Sequence, residues 1–188
     1  MRHGVTAWNK EGRAQGSTDV PLDDEGIEMA KRVAKRLSGE QWDFIYTSPL
    51  VRAAKTAEII AESKMGIPLF TDMRLRESGG GLIEGMTETE RVAKWGYSWR
   101  KLELGFEPSE EIISRGLEFV KEIKEAHPGK RILVVSHGGF LSRLIKELVP
   151  YKDFVKDLEN TSLSVIELRE ERNICELFNC IEHLQIVD

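Results

Sequence analysis

Three short stretches of the chain carry residues suited to chemistry on a phosphate group: Arg2-His3-Gly4, Ser48-Pro49-Leu50-Val51-Arg52 and Ser136-His137-Gly138-Gly139. Together they hold two histidines and two arginines. A guanidinium presents planar paired donors that match phosphate oxygens, and a helix N-terminus adds backbone N–H groups and a favourable dipole. A neutral imidazole in line with phosphorus can attack it. Taken singly, each residue has a plainer reading. A histidine after a strand is often structural, and an arginine at a helix start is often a solvated or ion-paired surface group. The combination gains meaning only if the fold brings the three stretches together.

The surrounding elements provide that convergence. Asp23 to Leu37 carries Ile27, Ala30, Ala34 and Leu37 at helical spacing, with acids first, bases last and Gly39 as a stop. Phe44-Ile45-Tyr46 reads as a short buried strand, and Ser48-Pro49 as the N-cap and first-turn proline of a helix to about Glu62. Ile67 to Thr71 is a weaker strand. Ser109 to Ala126 is a helix with Ile112, Ile113, Leu117, Val120 and Ile123, ended by Pro128-Gly129. Ile132-Leu133-Val134-Val135 is a continuous apolar run, the pattern of a parallel strand covered on both faces. It leads through the His137 stretch into a helix from Phe140 to Leu148. Leu163 to Leu168 and Ile174 to Phe178 flank a turn and read as a hairpin. The alternation predicts a three-layer α/β/α sandwich with a mostly parallel central sheet. In such sheets ligands bind outside the carboxyl ends of the strands, where all three stretches stand. Residues 78–108, with three successive glycines and then Trp95, Tyr97 and Trp99, read as a loop and small helical excursion. Those aromatics are either an apolar wall for a substrate or packing of the excursion onto the domain.

Composition narrows the class. The chain has 188 residues, 40 % hydrophobic and 31 % charged, which suits a single α/β domain over residues 1–188. No stretch approaches the roughly 18 uncharged apolar residues of a spanning helix. With a net charge of −5 the surface has no general attraction for nucleic acid or anionic membrane, so an anionic substrate needs a local basic pocket. Cys175 and Cys180 lack CxxC spacing and are expected to be packed thiols in a reducing cytoplasm. His3, His127, His137 and His183 show no HxxxH or HxH pairing, and there is no P-loop, which disfavours a metal-dependent hydrolase.

The chain resembles the histidine phosphatase, or phosphoglycerate mutase-like, superfamily. The resemblance begins at Arg2-His3-Gly4-Val5-Thr6-Ala7-Trp8-Asn9 and continues through Gly12 to Gly16, Asp19 to Leu22, Gly26 and Ser48 to Ala57. Leu75-Arg76-Glu77, Glu84-Gly85, Val135 to Gly138 and Asn160-Thr161-Ser162 follow in order. It implies a phosphoglycerate mutase-like fold and a phosphomonoester hydrolase that works through phosphohistidine, without metal or cofactor, on a small phosphorylated metabolite. By position, it makes His3 the nucleophile, and Arg2, Arg52 and His137 the ligands of the transferring phosphoryl group. Asn9 and Gln15 become further pocket contacts, and Glu77 the acid/base residue. A carboxyl group in that role needs a raised pKa, which burial and the incoming phosphate could produce. A cytoplasmic monomer or homodimer is expected.

The sequence departs from the family pattern at Val5, at Ile83 and around Pro108-Ser109-Glu110-Glu111. Only Met1 precedes Arg2, where relatives place an apolar strand, and a nucleophile so near a free end would fray unless tied down. The functional polypeptide is therefore expected to begin upstream of Met1, with its strand beside Ile132 to Val135, unless another segment or a partner subunit fills that lane. Between phosphatase and mutase, the short stretch from Glu77 to Pro108 favours hydrolysis, because mutases use a longer insertion to shield phosphohistidine from water. A noncatalytic phosphate-binding role fits poorly with the full set of site residues.

Overall fold

A computed structural model of the chain describes residues 1–63, 66–154 and 157–185. Three parallel strands form its centre: β1 (Phe44–Thr47), β2 (Leu69–Thr71) and β3 (Ile132–Val135), in the order β2-β1-β3. Alternation along the strands sends side chains to two faces. Ile45, Leu133 and Val135 pack on α2 (Asp24–Leu37) and α3 (Val51–Ser63). Tyr46, Ile132 and Val134 pack toward α5 (Ser109–Ala126) and α6 (Gly138–Leu148). Each fully buried large side chain, such as Leu37, Ile60, Ile112 or Phe140, contributes about 1.5–3 kcal/mol through the apolar surface it removes from water. This is the three-layer arrangement read from the sequence. The predicted hairpin is present as β4 (Leu163–Glu167) and β5 (Ile174–Cys180), an antiparallel pair with irregular register.

One helix start and one buried face differ from the sequence reading. The helix expected from Ser48-Pro49 begins at Val51, whose N–H is capped by the carboxylate of Asp19 at 2.7 Å, while Ser48 Oγ accepts from Leu50 N–H. The cap thus comes from 32 residues upstream, which local spacing could not show. On α5 the buried face runs through Ile112, Arg115, Gly116, Phe119 and Ile123, and Leu117 is exposed. Arg115 turns inward because Glu107 meets it at 2.8 Å and the carbonyl of Arg76 accepts at 2.8 Å.

The start of the chain is tied to β3. The Met1 terminal nitrogen donates to Val134 O at 2.7 Å, Ser136 N–H donates to Met1 O, and His3 N–H donates to Ser136 O, both at 3.0 Å. Thus Met1 to His3 runs parallel to the end of β3, and Met1 is buried in the core.

Residues 78–108 build α4 (Glu88–Trp95) and 3-10 turns around a small cluster of Ile83, Trp99 and Leu104. Trp99 is buried there while Tyr97 is 90 % exposed. Packing, and not a substrate wall, is therefore the role of the buried tryptophan. Among the described residues no helix is long and apolar enough to cross a membrane.

Candidate active site

The carboxyl ends of β1 and β3 and the paired start of the chain meet at one pocket of about 390 Å³. Of the residues singled out by sequence, Arg2, His3, Asn9, Gln15, Arg52 and Glu77 line it. His137 does not; it lies fully buried, its ring centroid 5.2 Å from that of His3.

His3 is 2 % exposed, and its Nδ1 lies 2.6 Å from Gly4 O. A carbonyl only accepts, so Nδ1 carries the ring proton and Nε2 keeps its lone pair. Burial, then the charges of Arg52 and Arg2, hold the ring well below the ordinary histidine pKa. The imidazole is therefore neutral at physiological pH. Its backbone is clamped as well: Thr161 N–H donates to His3 O at 3.1 Å, and Asn160 Nδ2 donates to the carbonyls of His3 and Gly4 at 3.0 and 3.2 Å. The Asn160-Thr161 motif was visible in the sequence, but its grip on the His3 peptide was not.

Arg52 lies on the first turn of α3 and is wholly buried. Its Nη1 and Nη2 donate to the carbonyls of Thr18 and Gly16, both at 2.8 Å, and its Nε donates to His137 Nδ1 at 3.2 Å. Three of its five N–H donors are thus committed to the protein, leaving two for an oxyanion. Burial lowers its pKa to about 10, which still leaves it cationic at neutral pH. Because Arg52 only donates, His137 Nδ1 must accept, and His137 Nε2 carries the proton toward Ser48 Oγ at 2.7 Å. His137 thus stands behind Arg52 with both nitrogens engaged, and burial holds it neutral. Arg2 donates to Leu158 O at 2.6 Å, and its buried Nε has no partner among the described residues. An unmet buried donor of this kind is costly, and an oxyanion would satisfy it.

Glu77 sits across the N-terminus of α6. Its carboxylate accepts from the N–H groups of Gly139 (3.0 Å) and Phe140 (2.8 Å), and from Ser78 N–H (2.8 Å) and Oγ (3.1 Å). A Cβ at Gly139 would overlap this carboxylate, so glycine there allows the close approach. Arg115 and Glu107 hold the segment from behind: Arg115 Nη2 donates to Glu77 O at 3.3 Å, and Gly79 N–H donates to Glu107 at 3.0 Å. Asn9 Oδ1 accepts from Thr6 N–H (3.1 Å) and Asn160 Nδ2 (3.3 Å), and Gln15 Oε1 accepts from Thr6 Oγ1 (3.2 Å), which leaves both NH₂ groups as donors.

Arg143 and Ser142, one turn into α6, also line the pocket, as does Arg13. Arg13 is paired with Glu11 and Glu90. Arg143 donates to Gly139 O at 2.8 Å and, among the described residues, has no carboxylate partner. The spacing of Arg143 from Gly139 on a helix was the only signal for it. His127 stacks near Phe44 and meets Tyr46 OH, and His183 meets Thr161 Oγ1, so both have structural partners elsewhere.

Known proteins of similar sequence and structure place the chain in a family. The chain is 34 % identical over 196 residues to phosphoglycerate mutase-like protein 4 of Arabidopsis thaliana, covering 98 % of this chain and 85 % of that protein. It is 33 % identical to phosphoserine phosphatase 1 of Hydrogenobacter thermophilus, over 98 % of this chain and 92 % of that one. A solved mycobacterial glucosyl-3-phosphoglycerate phosphatase in complex with VO3 superposes with a TM-score of 0.86 at 25 % identity, covering 96 % of this chain and 97 % of that chain. The family model for the histidine phosphatase superfamily, branch 1, matches residues 1–181, and the chain belongs to that superfamily.

Proposed function

We propose that this chain is a metal-independent phosphomonoesterase for a small phosphorylated metabolite, acting through a phosphohistidine at His3. The observation that carries the reading is the neutral His3 ring, its Nε2 lone pair without a partner among the described residues, beside the cations Arg2 and Arg52. Phosphoryl transfer asks for alignment and for charge stabilisation on the equatorial oxygens, and these fixed guanidinium groups supply both. His3 Nε2 forms a bond to phosphorus as the bond to the leaving oxygen breaks, and Glu77 gives that oxygen a proton. Water then attacks phosphorus, Glu77 takes back a proton, and the P–N electron pair returns to Nε2.

Three backbone N–H groups donate to Glu77, and Ser78 Oγ at 3.1 Å can donate or accept; in this scheme the carboxyl proton goes to the ester's bridging oxygen. His137 acts in this scheme by holding Arg52. Asn9 and Gln15 supply neutral donors to the same oxygens.

The leaving group departs past Glu77 toward the first turns of α6, where Arg143 offers a cation with no carboxylate partner among the described residues. That favours an ester whose organic part carries a carboxylate. The names of phosphoserine phosphatase 1 and glucosyl-3-phosphoglycerate phosphatase point the same way. The enzyme is read as one domain over residues 1–188, cytoplasmic, a monomer or homodimer, without nucleic-acid or membrane partners. The test is a panel of small phosphomonoesters assayed with a chelator present. Release of inorganic phosphate, fastest from carboxylate-bearing esters, supports the reading. Transfer of phosphate between hydroxyls of phosphoglycerate without release would make it a mutase, and loss of activity with the chelator would make it a metalloenzyme.

A further inference from the structure

Glu84 does not line the pocket, yet its carboxylate accepts as many hydrogen bonds as that of Glu77. Oε1 accepts from the N–H groups of Ser17 (2.8 Å) and Gly80 (2.9 Å), and Oε2 from Thr18 N–H (3.0 Å) and Thr18 Oγ1 (2.6 Å). These four bonds outweigh the opposing effect of burial and hold its pKa below the usual carboxylate value. Gly16 is shaped to this carboxylate: its φ is +52°, and a Cβ there would overlap Glu84 Oε1. The turn from Gly16 to Thr18 is therefore gripped on two sides. Its N–H groups point to Glu84, while its carbonyls at Gly16 and Thr18 accept from Arg52.

We propose that Glu84 is a positioning residue for phosphoryl transfer: it fixes the Gly16–Thr18 turn so that the carbonyls of the turn aim the remaining N–H groups of Arg52 into the pocket. Arg52 forms no salt bridge among the described residues, and the negative charges that favour its cation are those of Glu77, Asp19 and Glu84. This also gives the 78–108 excursion a task. Its small cluster around Ile83 holds the segment that delivers Glu84 to a loop more than sixty residues earlier in the chain. The proposal rests on the phosphatase reading, since it assigns Arg52 to the phosphoryl group. If Glu84 were merely a tie between excursion and loop, its removal would lower stability without any special dependence on Arg52.

A double-mutant cycle separates these cases, with orthovanadate inhibition as the readout. Glu84→Gln should weaken vanadate inhibition about tenfold in the wild-type background and less than about twofold when Arg52 is already alanine. Thr18→Val, which removes only the hydroxyl bond, should show the same Arg52 dependence at smaller amplitude and serves if Glu84→Gln does not fold. Equal factors in both backgrounds, or no effect of either variant, overturn the proposal. Arg52→Ala must itself weaken vanadate inhibition. If it does not, the phosphate-site reading fails first and takes the Glu84 role with it.

Discussion

His3 Nδ1 sits 2.6 Å from Gly4 O, and this contact fixes which nitrogen of the ring can attack phosphorus. The contact also bears on pH. Attack needs the unprotonated ring, and burial with Arg52 and Arg2 nearby holds His3 well below its ordinary value of 6.5. The acid limb of kcat/KM assigned to His3 is therefore expected well below pH 6.5. An acid limb centred near the ordinary histidine value, and lost with His3, would contradict the assignment.

The same shifts set a stability trend. His3, His137 and His183 all have folded pKa values below their unfolded ones, His183 at about 4. Below pH about 6.5 the unfolded chain then binds more protons than the folded one. The stability they contribute is complete above that value and is lost as pH falls toward the folded pKa values. Urea midpoints should fall between about pH 7 and pH 4.5. A flat or rising midpoint would show that these rings are not held neutral.

Ser48 Oγ is the acceptor for His137 Nε2–H. Ser48→Ala leaves that buried donor unmet, or flips the tautomer and sets Nδ1–H against Arg52 Nε–H. Either outcome costs about 1–3 kcal/mol. Vanadate inhibition and kcat/KM should both weaken by about tenfold or more, with Tm lowered. Unchanged kinetics would mean that His137 does not govern Arg52.

Glu77→Gln should slow hydrolysis of alkyl phosphates far more than that of p-nitrophenyl phosphate, because a good leaving group needs little protonation. Equal losses on both would give Glu77 a structural or electrostatic role instead.

The sequence made the layers and the pocket legible to different degrees. The apolar run Ile132 to Val135 and the helix Ser109 to Ala126 were read at their observed limits, because packing on two faces leaves a strong pattern. Arg2, His3, Asn9, Gln15, Arg52 and Glu77 were all named beforehand and converge on one pocket. Three kinds of feature stayed hidden, each because it depends on partners distant in sequence. Asp19 caps α3, Glu84 braces the Gly16 turn, and His137 faces Ser48 and Arg52 instead of the pocket. Tyr97 and Trp99, two residues apart, could not be sorted into exposed and buried until the Ile83 cluster was seen.

The most direct test mixes the enzyme with a phosphomonoester labelled on phosphorus, quenches it rapidly in alkali and maps the label by mass spectrometry. An acid-labile, alkali-stable phosphoryl group is expected on His3 Nε2. It should be absent from His3→Ala, which keeps its fold and loses turnover. Label on another residue, or a His3→Ala variant with more than about a hundredth of wild-type activity, would show that His3 is not the nucleophile.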